Sequence, residues 1–291
     1  MVIKKALISG ITGQDGAYLA KHLLELGYKV IGSSRDSQEC DKTRLSKLGI
    51  ENDIELISIA PNDFGSVLKA LKNYLPNEIY NLAGLTSVSL SFEQPFESMD
   101  SIACGTLNFL ESIRLISKDI KLFNAGSSEC FGDTTIKPAS EKTSFSPQSP
   151  YAIAKATAFW HVHNYRKIHN IFCCTGIMGN HESSLRPERF VTQKIIKSVK
   201  KIASGENIKL HLGNLETLRD WGWSPEYAVA IQKMLSSDTA RDYIIATGKS
   251  YSLKDFVKTS FELCNLNYKE HTIIEKRLMR ANDINISRLE P

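Results

Sequence analysis

The chain has no apolar run approaching the roughly 18 residues needed to span a bilayer, so a transmembrane role is not expected. It also lacks a C-x-x-C spacing. The six cysteines fall at 40, 104, 130, 173, 174 and 264, and the start MVIKKALISG carries no secretory h-region. Reduced thiols, a cytoplasmic location and no metal site are therefore expected. Neither sign of charge dominates: 36 Lys and Arg against 32 Asp and Glu leave a net of +4, which is no footprint for nucleic acid. Low-complexity segments and internal repeats are absent too. What remains is 291 residues, 42% of them hydrophobic, enough for one large domain or for a core domain with a smaller partner.

The first thirty-odd residues read as strand KKALISG, turn ITGQDG, helix AYLAKHLLELGY and strand KVIGSSR. Tyr18, Leu19, Leu23 and Leu26 give the helix an apolar face, and Gly27 suits its C′ position. Further strands are expected at 54–59, 78–84 and 120–127, separated by helices at 66–75 and 103–116. Alternation of this kind predicts an α/β fold, a Rossmann-type, doubly wound parallel sheet with helices on both faces. Past residue 175 the rhythm changes to a long helix at 189–205, a short strand at 208–214 and another helix at 224–237. Residues 1–175 are read as the dinucleotide-binding domain, with returning strands contributed by 208–250. Residues 176–291 are mainly a smaller C-terminal substrate-binding cap, ending at ISRLEP without a clear closing element and so incomplete.

GITGQDG places glycines at 10, 13 and 16 after a strand and at the mouth of a helix. Gly10 permits the tight turn, Gly13 lets backbone approach a pyrophosphate, and Gly16 lets helix and strand pack closely. Thr12, Gln14 and Asp15 of the same turn, and Leu82 and Ala83 after the fourth strand, are expected to line the cofactor. Arg35 after the second strand suits a 2′-phosphate and favours NADP, whereas the neighbouring Asp36 suits a 2′-hydroxyl and keeps NAD open.

Tyr151 and Lys155 follow Pro150, a good first helical residue, and Ser149, a good cap. Four residues apart, they share one helix face, and the ammonium is expected to bring the phenol pKa down so that Tyr151 acts as a base. The stretch NAGSSECFGD ends a preceding strand with hydroxyls at Ser127 and Ser128 and a carboxylate at Glu129. Two bases of different strength, Tyr151 and Glu129, suit a reaction with two proton abstractions.

Taken together, GITGQDG, SSECFG, SPYAIAKA, GNHES, RFVTQKI and LGNLETLRDWG resemble the extended short-chain dehydrogenase/reductase superfamily, and most closely its GDP-mannose 4,6-dehydratases. The resemblance implies a lyase with tightly bound NADP that makes GDP-4-keto-6-deoxymannose, an intermediate class of nucleotide-sugar and polysaccharide metabolism. Tyr151 would take the C4 hydroxyl proton while hydride passes to the cofactor, Ser127 would bond the C4 oxygen, and Lys155 would hold the nicotinamide ribose. Glu129 would then take the C5 proton and help water leave from C6, after which hydride returns to C6. Ser128, Asn180, Lys194 and Arg219 are expected to bind the GDP-sugar. A reductase, epimerase or dehydrogenase of a related GDP-sugar, such as a GDP-heptose, would share the hydride half alone.

The chain departs from the family's pattern at several points. Ala60 stands where an adenine-binding aspartate is expected, so Asn62 or Asp63 would take that contact. Gln148 and Gln193 replace arginines, and paired arginines after NHES are reduced to Arg186. In the resembling enzymes that loop reaches a neighbouring subunit, so a homodimer is expected here, with a tetramer as the alternative.

Overall fold

Strands and helices alternate through the first two thirds of the chain because short β-branched and leucine-rich runs are punctuated by Gly, Pro and Ser-headed turns. The computed structural model describes residues 3–278 and 284–291. In chain order the elements are β1 (Lys5–Ser9), α1 (Gln14–Glu25), β2 (Lys29–Ser34), α2 (Thr43–Lys47), β3 (Glu55–Ser58), α3 (Phe64–Tyr74), β4 (Glu78–Asn81), α4 (Val88–Glu93) and α5 (Pro95–Ser98). A wider-turned stretch, Met99–Cys104, leads into α6 (Gly105–Ile116). There follow β5 (Lys121–Ala125), α7 (Pro150–His169), β6 (Cys173–Met178), β7 (Asn180–Glu182), α8 (Val191–Ala203), β8 (Leu210–Leu212) and β9 (Leu218–Trp223). The last are α9 (Ser224–Ser236), β10 (Tyr243–Ile245), β11 (Ser250–Ser252), α10 (Leu253–Glu262), α11 (Tyr268–His271) and β12 (Thr272–Ile274).

Seven strands form one sheet in the order β10-β6-β5-β4-β1-β2-β3, and every pairing is parallel. Its two faces bury separate clusters, as strand alternation requires. Ala6 and Ile8 pack with Leu19 and Leu23 of α1 and Ile231 and Leu235 of α9. Leu7, Ile79 and Leu122 pack with Leu71 of α3, Phe109 and Ile113 of α6 and Val162 of α7. Each fully buried Leu, Ile or Phe contributes about 1.5–3 kcal/mol of transfer free energy. The order runs outward from β1 in one direction and from β4 in the other. The crevice between their carboxyl ends is thus the place where this topology binds ligands.

The helix at 224–237, expected within the cap, instead lies under the main sheet as α9, against α1. An amphipathic pattern reports a buried face and not the layer that buries it. The cap proper is the three-stranded sheet β11-β9-β7 and the pair β12-β8. The β8 strand packs with α8 and α10 around Ile195, Leu212 and Phe261. The closing segment is also tied down. Leu218 N–H donates to Asn285 carbonyl at 2.9 Å and Ala139 N–H to Arg288 carbonyl at 3.0 Å, so residues 284–291 bridge β9 and the loop after β5. Among the described residues, no helix is long and apolar enough to cross a membrane.

Candidate active site

Gly10 adopts φ +87°, and a Cβ there would meet the backbone of Leu82 and Ala83 at 3.0–3.1 Å. The turn therefore sits directly on the end of β4. At Gly16 a Cβ would lie 2.4 Å from Gly10 carbonyl oxygen, so no side chain fits between the turn and α1. Gly13 is the N-cap of α1 and supplies no side-chain cap, which leaves the first-turn amides for an anion. These features fit the pyrophosphate of a dinucleotide.

Gln14 and Asp15, expected at the cofactor, point elsewhere. Gln14 Nε2 donates to His181 carbonyl (3.2 Å) and its Oε1 accepts from Ser183 Oγ (2.8 Å). Asp15 accepts from Ser224 Oγ at 2.9 Å and pairs with His181 Nε2 at 3.0 Å. Both side chains join the turn to NHES, and the turn's approach to a ligand is left to its backbone. Arg35, 77% exposed, lies 3.5 Å from Glu97, while Asp36 Oδ1 is engaged by the N–H groups of Gln38 and Glu39. Asp63 caps α3, accepting from Gly65 and Ser66 N–H, and Asn62 donates to Asp100 at 2.6 Å.

Helix α7 begins as its sequence dictates: Pro150 is the first helical residue and Ser149 Oγ accepts from Ala152 N–H at 3.1 Å. That start aims Tyr151 and Lys155 at the end of β5. Ser127 caps a short 3-10 turn, Ser128–Phe131, with its Oγ accepting from Glu129 N–H at 3.3 Å. Tyr151 lies beside Ser127, and Glu129 and Arg186 lie within electrostatic reach of it. Lys155 Nζ donates to Ala125 carbonyl at 2.6 Å and stands 5.8 Å from the Tyr151 ring centre. Ser127, Glu129, Tyr151 and Lys155 are thus gathered at the carboxyl end of β5. Ser128 is buried beside them.

The expected lowering of the tyrosine pKa is not what this geometry gives. Burial drives Tyr151 above the ordinary phenol range, with the Glu129 and Cys130 charges adding to it, against the opposing Ser127 hydrogen bond and Arg186 charge. Lys155 is itself drawn down to about 8 by burial. Spacing of four residues predicts proximity, but desolvation of each group sets the direction of its shift. Cys130, its thiol raised to about 12 by burial, is a core residue of the same turn.

On the cap side, Asn180 stands opposite Trp221 in the parallel β7–β9 pair, two residues beyond Arg219. Asn180 and Arg219 therefore share one face of that sheet, and His181 faces the other. Arg219 is buried, with Nη1 donating to Leu218 carbonyl (2.9 Å) and Asn285 carbonyl (3.4 Å), and it lies within electrostatic reach of Asp133. Lys194 on α8 donates to His211 carbonyl at 2.6 Å, within the cap. The loop after NHES is fastened to its own chain. Arg44, which no sequence signal singles out, donates to Leu185 carbonyl (2.9 Å) and to Thr12 carbonyl (3.0 Å), and Gln193 donates to Ser183 carbonyl (2.8 Å). Arg186 stacks on Phe190 and lies 3.4 Å from Glu182.

A family model described as GDP-mannose 4,6 dehydratase matches residues 7–289. GDP-mannose 4,6 dehydratase 1 of Arabidopsis thaliana is 40% identical over 97% of this chain and 80% of its own length. GDP-mannose 4,6-dehydratase of Vibrio cholerae is 40% identical over 96% and 77%. Among solved structures, a Thermus thermophilus UDP-glucose 4-epimerase complex with NAD superposes with TM-score 0.86 at 19% identity, covering 99% of this chain and 90% of the other. A dTDP-glucose 4,6-dehydratase from Bacillus anthracis in complex with NAD gives 0.84 at 18%, covering 99% and 88%. At such identities the likeness is one of fold.

Proposed function

The chain belongs to the GDP-mannose 4,6-dehydratase family, and from that premise we propose the reaction and the residues that carry it. It is a lyase that dehydrates GDP-mannose to GDP-4-keto-6-deoxymannose. The observation that carries the assignment of roles is the meeting of a hydroxyl, a phenol, an ammonium and a carboxylate at the end of β5. A bound nicotinamide dinucleotide supplies the reversible hydride acceptor, so the reaction leaves no net redox change. Tyr151, acting as its phenolate, receives the C4 hydroxyl proton, and Ser127 beside it orders the same oxygen. Lys155 provides positive charge beneath that proton transfer. Once C4 is a ketone, the C5 proton is acidic; Glu129 removes it and passes a proton to the departing C6 hydroxyl, which leaves as water, and return of the hydride to C6 with a proton to C5 would complete the 4-keto-6-deoxy product.

NADP is the proposed cofactor. Arg35 is exposed at the end of β2, 3.5 Å from Glu97, whereas one oxygen of the Asp36 carboxylate is already engaged by its own turn. Residues 1–175 with α9 and β10 form the proposed cofactor-binding unit. Ser128, Asn180, Lys194 and Arg219 are the proposed contacts of the GDP-sugar. A homodimer is the proposed assembly. Phe92, Phe96, Ile153 and Trp160 are large apolar side chains exposed on α4, α5 and α7, three helices that pack together, and these are the proposed contacts. The loop bound by Arg44 and Gln193 to its own chain favours a dimer over a tetramer.

Incubation with GDP-mannose and NADP should yield the 4-keto-6-deoxy product, one water lighter, without accumulation of reduced cofactor. A protein that binds both ligands and releases no such product would overturn the assignment.

A further inference from the structure

The buried contact between Asp15 and His181 has no part in the chemistry above, yet it joins the two halves of the site. His181 is 8% exposed and stacks on Tyr227 with ring centres 4.4 Å apart. Its Nδ1 lies 2.8 Å from Gly179 carbonyl oxygen and its Nε2 3.0 Å from Asp15 Oδ2. A carbonyl and a carboxylate only accept, so both ring nitrogens must donate, and the ring that satisfies both is the imidazolium. Asp15 in turn accepts from Ser224 Oγ (2.9 Å) and Gln14 Nε2 (3.1 Å). One carboxylate in the first turn of α1 thus holds β7 through His181 and the start of α9, immediately after β9, through Ser224. The charged and titratable groups about the ring are Asp15 from α1, Glu182 beside it on β7, Arg186 from the following loop, Tyr227 from α9 and, on the same face of β9 and acting on Tyr227, Asp220. Burial works against the charged imidazole, but Asp15 outweighs it and His181 is raised, while Asp15 is held below the usual carboxylate range.

We propose that His181 is a positioning residue held as an imidazolium, and that its ion pair with Asp15 couples the glycine turn to the β7–β9 strands, so that dinucleotide and sugar-nucleotide affinities change together. The mechanical reason lies in the strand geometry. Asn180 and Arg219 share the opposite face of the sheet from His181, so a shift of His181 toward or away from α1 carries both with it. The proposal rests on the ligands assigned above.

The test has two arms. In 15N-histidine NMR of the ligand-free protein, the His181 ring should be doubly protonated at a pH just above the ordinary imidazole value of about 6.5; a neutral ring there would overturn the proposal. Calorimetry of Asp15→Asn, His181→Gln and the double variant then reads the dissociation constants of NADP and of GDP-mannose. Each single variant should weaken both ligands about tenfold with kcat nearly unchanged, and the double variant should be little worse than either. Weakening of one ligand alone, or additive losses, would contradict the coupling. Ser224→Ala, which removes one hydrogen bond from Asp15, should shift both constants in the same direction by a smaller factor, and decides the matter if the charge variants do not fold. A wild-type protein that binds both ligands without turning over would sink the dehydratase assignment and leave these readings intact.

Discussion

Lys155 holds a charge where the fold disfavours it, and the cost can be measured. Its side chain is 7% exposed, and burial draws its pKa from the ordinary 10.5 to about 8. That difference corresponds to about 3 kcal/mol of destabilisation at pH values where both folded and unfolded chains carry the proton. Lys155→Met keeps the length of the side chain and removes the charge. It also removes the hydrogen bond to Ala125 carbonyl, which costs about 1–2 kcal/mol. The variant should therefore be more stable than wild type by about 1–2 kcal/mol at pH 7, and inactive. The sign of the pH dependence follows from the direction of the shift. Between about pH 8 and 10.5 the unfolded chain binds more protons at this lysine than the folded one, so wild-type stability rises with pH through that window. The gap between variant and wild type should shrink there by up to about 1.4 kcal/mol per pH unit. Urea unfolding of both proteins at a series of pH values reads this directly. A variant less stable at pH 7, or a gap that does not change with pH, would refute the reasoning.

Arg35→Ala should weaken NADP by about tenfold or more in calorimetry and leave NAD little changed, because only the 2′-phosphate loses its charge partner; equal losses for both would reassign Arg35 to the surface. Gly16→Ala should abolish NADP binding or folded yield, since its Cβ would lie 2.4 Å from Gly10 carbonyl oxygen and backbone on both sides cannot yield; an alanine variant with wild-type affinity would show that the turn is looser than described. Trp160→Glu should convert a dimer to a monomer in sedimentation, and an unchanged mass would place the interface elsewhere.

Much of this architecture was legible because local rules and the global fold agree. The glycine turn, the Ser149–Pro150 start of α7 and the five strands from Lys5 to Ala125 each carry a turn, cap or period signal that the tertiary structure then uses. The meeting of Ser127, Glu129, Tyr151 and Lys155 was legible for the same reason: they sit just after a strand and in the first turns of a helix. What local signals do not carry is the third dimension. The placement of α9 under the main sheet, and the turning of Gln14 and Asp15 away from a ligand toward His181, depend on which surface packs against which. The direction of the Tyr151 pKa was missed because residue spacing encodes distance and says nothing of desolvation. Arg44 is a helix surface charge by every local measure, and only the approach of Thr12 and Leu185 carbonyls gives it a task.

Glu129 is proposed as the base of the elimination and Tyr151 as that of the oxidation. Glu129→Gln, supplied with GDP-mannose deuterated at C4, tests this most directly. Deuterium should still exchange between C4 and the cofactor while no dehydrated product forms. Water release at the wild-type rate would contradict the proposal.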